Sequence, residues 1–353
     1  MKCARNSFVL IFMTNTGGRG PLAGAGFGLW PSLIKEYLPG MLAVARQTST
    51  CYRCEMKKRL CIQAKGIIAA LAVVVATASA ASAQQCTVKP AAISLGETVR
   101  LHCEGATSAN VATARLKERT IRMFKQPDGS WQGLMPVAVA DTPGAFSIDF
   151  LAEGGAVITS TKLTIRPTNF PTQNVNLAPQ IEELKSSPEE IKTLTDFRNS
   201  VSDVKFWEDP LVAAVPGCVL SPFGVKRLHN GKPTGEFHSG IDQRAPAGNP
   251  IHAAASGEVK IAQPFTVLGG TVAIDHGEGL ETMYLHMSKI AVQPGARVNK
   301  GDVIGYIGAT GRATGPHLHW VVYVNGVPVN PRQWVPLAAC GATPAKSVPA
   351  AKH

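Results

Sequence analysis

From residue 84 onward the chain alternates short apolar, β-branched runs with turns rich in glycine and proline. Runs of this length, bounded by such turns, predict strands. In the first half they fall at 98–102, 114–124, 135–140, 146–151 and 156–165, with turns at Pro127-Asp128-Gly129, Pro143-Gly144 and Glu153-Gly154-Gly155. That regular spacing predicts a small β-sandwich-like domain over 84–176, and no catalytic residue types cluster in it. One helix interrupts the pattern. Ser187-Pro188-Glu189-Glu190 combines an N-cap, a first-turn proline and the acid of a capping box, which predicts a helix running to about Asn199 within a linker, 177–215.

Strand-like runs resume at 251–254, 257–262, 271–275, 282–286, 303–307 and 319–324. No strand–helix–strand rhythm appears, so an antiparallel β domain over 216–340 is expected rather than a doubly wound sheet. The fold class read from the pattern is mainly β, with a short linker helix between two β domains. A tail, 341–353, is expected to be disordered.

Charge alters this picture less than its total implies. The net charge is +11, but residues 1–83 hold ten Lys/Arg and two acids, and the remainder carries only 25 basic against 22 acidic residues. The body has no basic stripe of the kind nucleic acid requires, so no nucleic-acid partner is expected. Residues 56–83 read as a signal peptide: Lys57, Lys58 and Arg59, an apolar stretch from Gly66 to Ala76, then Ala81-Ser82-Ala83. Its internal position is explained if Met56 is the initiator and 1–55 an upstream translation artefact. The apolar stretch is short for a span, and cleavage after Ala83 would leave no stable membrane span.

Four cysteines then remain, Cys86, Cys103, Cys218 and Cys340, and an even number in an exported chain favours disulfides. Of three possible pairings, Cys86–Cys103 with Cys218–Cys340 is preferred, because each bond stays inside one expected domain.

The chemistry concentrates in the second domain. Seven of nine histidines lie between 229 and 319, and three groups stand out: His238-Ser239-Gly240-Ile241-Asp242, Tyr284-Leu285-His286-Met287-Ser288 and Gly315-Pro316-His317-Leu318-His319-Trp320. On a strand, residues two apart share a face, so His317 and His319 can enter one cleft. His238 and Asp242 can reach the same cleft from a turn. Two imidazoles and a carboxylate suit Zn²⁺ and leave a coordination position for water. Spacing alone leaves both a metal site and hydrogen-bonded pairs open. His229 and His252 read as neighbours of the cleft, His276 as a structural hairpin residue, and Tyr284 as a packing or groove residue. Arg227 and Asn230 read as groove borders, Lys226 and Arg227 as weak attractors of peptide carboxylates, and Arg312 as support for the loop before His317.

These blocks resemble the M23 metallopeptidases, the lysostaphin/LytM class. Phe237-His238-Ser239-Gly240-Ile241-Asp242, Tyr284-Leu285-His286-Met287-Ser288 and Gly311 to Trp320 match in order, supported by Ser221-Pro222-Phe223-Gly224 and Ala255-Ser256-Gly257-Glu258-Val259. The resemblance implies a lysostaphin/LytM (duplicated hybrid motif) domain with Zn²⁺ held by His238, Asp242 and His319. It implies His317 as a proton-handling histidine and His286 as an oxyanion stabiliser, a role that an imidazolium would fill. It further implies an endopeptidase acting on peptidoglycan peptides, with the D-Ala–meso-diaminopimelate bond favoured, in the periplasm or secreted. Some members carry an acid after the second histidine of the His-x-His block, where this chain has Val321 and Val322 after Trp320. The alternative is a non-catalytic LytM-type regulator of cell-wall amidases. Residues 86–186 loosely resemble the β domain preceding some Gram-negative members, which would position the protein or partly occlude the groove. The sequence leaves the oligomeric state open.

Overall fold

A computed structural model describes residues 85–104 and 110–341. The upstream stretch 1–55, the signal sequence 56–83 and all but the first residue of the tail 341–353 lie outside the described residues. Among the described residues, no helix is long and apolar enough to cross a membrane.

The fold is mainly β. Two sheets form the N-terminal part. One runs Gln85–Lys89, Thr98–Glu104, Trp131–Pro136, Phe124–Lys125, and the other runs Ala92–Ser94, Val157–Arg166, Gly144–Ala152, Val111–Leu116, Arg119–Arg122. Alternate residues turn inward from each: Val99 and Leu101 meet Ile148, Phe150 and Leu163 in one apolar cluster. Cys86 and Cys103 face each other across the first antiparallel pair and are bonded. The stretch 114–124 is a hairpin rather than one strand. It turns at Lys117, which takes a left-handed φ of 53° without glycine or proline to signal it. The strand expected at 135–140 lies earlier, at Trp131–Pro136.

The C-terminal part is built on a large sheet in the order Val219–Ser221, Ile241–Gln243, Leu318–Val324, Leu280–Met287, Gly269–Gly277, Gly257–Phe265, Arg297–Val298. Its three central strands are buried along their whole lengths, because both faces are covered. Trp320, Tyr284 and Ile274 fill the main core on one face. Met283, Leu285, Val321 and Tyr323 pack on the other against Phe197 of the helix Pro188–Asn199. Burying one such phenylalanine contributes about 2 kcal/mol. The expected capping box closes that helix at Ser187 and Glu190. Glu190 also accepts the Thr266 N–H at 2.6 Å, fastening the helix start to the sheet. Cys218 and Cys340 are bonded across 122 residues.

One strand has no local signal in the chain. Thr172–Val175, expected to end the first domain, adds a parallel strand to Lys226–His229 in a separate three-stranded sheet. The chain then forms a short helix, Pro179–Glu182, before the capped one.

Candidate metal centre

Three strands and two loops bring the expected residues together. Asp242 and His319 stand directly opposite in the antiparallel pair Ile241–Gln243 and Leu318–Val324, so their side chains share one face. His238 enters from the turn before that pair, held by its N–H to Val225 O at 2.8 Å. Gly240 permits the tight entry: a Cβ there would lie 2.2 Å from Trp320 O. His317 precedes the His319 strand and bridges to Gly308.

His286 reaches the groove by a different device. Its strand is bulged, since the register with Gly269–Gly277 shifts between Gly270 and Val272, and His286 takes a φ of 62°. Strand alternation would send Leu285 and His286 to opposite faces. The bulge and the left-handed residue send both into one groove of about 200 Å³, which His238, Asp242, His317 and His319 also line.

Three atoms converge at the floor. His238 Nε2 lies 3.0 Å from Asp242 Oδ1 and 2.9 Å from His319 Nδ1, and His319 Nδ1 lies 2.8 Å from Asp242 Oδ1. His238 Nδ1 lies 2.9 Å from Pro222 O, a pure acceptor, so Nδ1 carries the proton and Nε2 presents a lone pair. Burial acts to raise the Asp242 carboxyl, but its contacts with His238 and His319 outweigh this and hold it well below the usual carboxylate range. Burial pushes His319 down to about 4, against the carboxylate beside it. Three buried electron-pair donors crowded within 3.0 Å of one another repel unless something positive lies between them. A cation satisfies them, and two imidazole nitrogens with one carboxylate oxygen suit Zn²⁺.

Asp242 is steadied from behind. Its Oδ2 accepts from Arg227 Nη2 at 2.9 Å, and Arg227 Nη1 donates to Gln173 Oε1 at 3.0 Å. Ser221 Oγ donates to the same Gln173 oxygen at 2.7 Å. Arg227 is therefore committed to Asp242 and is not the free attractor of peptide carboxylates expected from sequence. Gln173 was missed because it sits on the unannounced parallel strand.

Two further histidines face the floor. The His317 Nε2 atom is 3.8 Å from Asp242 Oδ1, and its Nδ1 donates to Gly315 O at 2.8 Å. His286 Nδ1 donates to Thr310 O at 2.8 Å, and the two rings are 5.0 Å apart. Burial, then His319 and His317 beside it, push His286 down to about 3. A resting imidazolium at His286 is thus disfavoured. Both rings stand with Nδ1–H spent and Nε2 free to accept a proton.

The remaining sequence candidates divide. His229 and Arg312 line the groove. Asn230 clasps the Leu177 backbone through both its amide atoms. His252 bonds Gly301 O away from the groove. His276 is structural as expected, but it lies inside a strand rather than a turn, bonded to Ser256 O and Thr282 Oγ1. Tyr284 is a core residue whose hydroxyl accepts the Ala254 N–H at 2.8 Å.

Comparison with known proteins agrees with this geometry. Residues 236–331 match the family model for peptidase family M23. The DD-carboxypeptidase/endopeptidase Mpg of Neisseria meningitidis is 44% identical over 113 residues, 32% of this chain and 26% of that protein. The peptidoglycan DD-endopeptidase ShyA of Vibrio cholerae is 41% identical over 112 residues, again 26% of its length. The chain thus matches about a quarter of the length of these curated relatives. A crystal structure from Pseudomonas aeruginosa, assigned to peptidase M23, aligns with a TM-score of 0.50 and 29% identity, covering 63% of this chain and 87% of that one. Through residues 236–331, the chain belongs to peptidase family M23.

Proposed function

We propose that this protein is a zinc-dependent endopeptidase that hydrolyses peptidoglycan cross-link peptides, with the D-Ala–meso-diaminopimelate bond favoured. The observation that carries this reading is the convergence of His238 Nε2, Asp242 Oδ1 and His319 Nδ1 within 3.0 Å of one another, under two histidines with free Nε2 atoms. His238, Asp242 and His319 would hold the metal. Zinc, when bound, polarises a scissile carbonyl and makes water acidic enough to lose a proton near neutral pH.

The histidines supply the proton chemistry. Each has its Nδ1–H tied to a backbone carbonyl and its Nε2 left as an acceptor; since burial makes His286 a poor base, His317 serves as the base. A proton accepted there turns that Nε2 into a donor facing the same groove. His317 then protonates the leaving amine. His286, neutral at rest, is the companion acceptor and becomes a hydrogen-bond donor to developing oxyanion charge only after it is protonated. Arg227 and the Pro222 carbonyl hold the ligands in orientation. The two disulfides suit an oxidising compartment, which supports action outside the cytoplasm.

The test is hydrolysis of purified cross-linked peptidoglycan, with products read by mass spectrometry, with and without a chelator. Chelator-sensitive cleavage of cross-link peptides is expected. A folded, zinc-loaded protein that binds peptidoglycan without cutting it would replace this reading with the regulator.

A further inference from the structure

The groove holds two guanidinium groups in different electrostatic states. Arg227 is paired with Asp242. Arg312 meets no carboxylate among the described residues. Its place is fixed by its own N–H, which donates to Val267 O at 2.8 Å just after the left-handed Gly311. Its Nη2 donates to the backbone carbonyls of Glu182 and Leu184. The Glu182 carboxylate is turned instead to Asn230 Nδ2, at 2.7 Å. Carbonyls orient a cation without neutralising it. Arg312 Nε is buried and has no hydrogen-bond partner, and among the described residues Nη1 has none either. His229, on the same wall, is lowered by burial and then by the charges of Arg312 and Arg227.

An oriented guanidinium with no carboxylate partner and with Nη1 unspent, half withdrawn from water, selects a carboxylate. Peptide chemistry narrows which one. Arg312 and His317 are carried by one loop, 311–317, that lines the groove. On the endopeptidase reading, on which this step rests, His317 protonates the leaving amine, and the shared loop would put Arg312 on the leaving-residue side of the groove. In a D-Ala–meso-diaminopimelate cross-link, the carbon bearing the scissile nitrogen also bears a free carboxylate. The terminal D-alanine of an uncross-linked stem has the same arrangement. A residue within a glycine bridge lacks it.

We propose that Arg312 is a substrate-binding residue that recognises the free carboxylate on the carbon bonded to the scissile nitrogen. It makes the groove selective for carboxylate-bearing cross-links and stem ends over glycine bridges.

The experiment uses the full chain and two synthetic stem pentapeptides ending in D-Ala-D-Ala, one a free acid and one a C-terminal amide. Kinetics are measured with zinc, and binding to the chelator-treated protein by calorimetry. Loss of one charge-assisted carboxylate contact corresponds to about tenfold to a hundredfold. The wild-type protein is expected to favour the free acid by that factor in kcat/KM, mostly through KM, and to bind it more tightly without metal. Arg312→Gln is expected to erase the preference and Arg312→Lys to keep part of it. Equal treatment of the two peptides by the wild type overturns the proposal while leaving the peptidase reading standing. An equal fall on both peptides in Arg312→Gln, with the preference kept, also overturns it and assigns Arg312 to loop support. Where the enzyme cuts only cross-linked peptides and leaves both pentapeptides whole, the readout is binding alone. The metal-free binding comparison then decides the carboxylate, and equal binding of acid and amide refutes it.

Discussion

The N-terminal sandwich and the C-terminal sheet are both β, yet they bury polar groups very differently. In the sandwich, strands such as Gly144–Ala152 keep one face in solvent, and its charged pairs, such as Arg115–Asp149, stay near the surface. In the C-terminal sheet the central strands are covered on both faces, and His238, Asp242, His276, Glu281, His286 and His319 are all buried. Burying such groups costs free energy unless they are paired or their charge is changed. A sheet covered on both sides supplies the dry, rigid surroundings in which that cost is borne and chemistry becomes possible. The sandwich has histidine too, but His102 lies near the surface beside Glu104 and gathers no partners of catalytic type.

The largest effect expected from breaking this contrast is at the ligands. Asp242→Ala or His319→Ala should abolish stoichiometric zinc and lower hydrolysis by at least about a thousandfold. Elemental analysis beside the peptidoglycan assay checks this, and a variant that keeps both zinc and activity would contradict the ligand assignment. His317→Ala and His286→Ala should retain zinc and lose about a hundredfold to ten-thousandfold in rate. His102→Ala in the sandwich should leave the rate unchanged, and an equal loss there would mean that the contrast between the regions is false.

Stability should sharpen the comparison next. Removing Cys218–Cys340, which closes 122 residues, should cost about 4.7 kcal/mol on a chain-entropy view. Removing Cys86–Cys103, which closes 17, should cost about 3 kcal/mol. Denaturant unfolding of the two double-serine variants gives the order, and a reversal would locate extra strain or residual structure in the unfolded chain.

The smallest effect concerns Glu281. Burial, then Asp275, raise its carboxyl to about 9 against the opposing pull of Ser200 and Arg198. A folded acid that holds its proton while the unfolded chain has lost it becomes less favourable as pH rises. Stability from this group should therefore fall from about pH 4.5 to about 9. Glu281→Gln should flatten that slope in thermal melts and raise the midpoint by a few degrees at pH 8. An unchanged slope would show that Glu281 is ionised in the fold.

Much of this was legible in the chain. The capping box at Ser187 and Glu190 is local chemistry, and it formed as written. The His-x-His spacing puts two ligand types on one face through strand periodicity, the His-x-x-x-Asp block brings its pair in through a glycine turn, and both disulfides followed the expected pairing. The hairpin at Lys117 was not legible, because a lysine in left-handed backbone leaves no compositional mark. Nor was the parallel strand Thr172–Val175, whose partner lies some fifty residues away.

The sequence by itself determined the strand-rich class, the capped helix and the set of residues able to bind a metal, because periodicity, capping and ligand type are properties of neighbours. The tertiary structure alone decided three things. A bulge aims His286 into the groove. The neutral state of that ring follows from burial beside two other imidazoles. Arg227 is spent on Asp242 while Arg312 is left with only neutral carbonyls. Each depends on the charges and dielectric that distant segments bring together, and no local pattern carries that information.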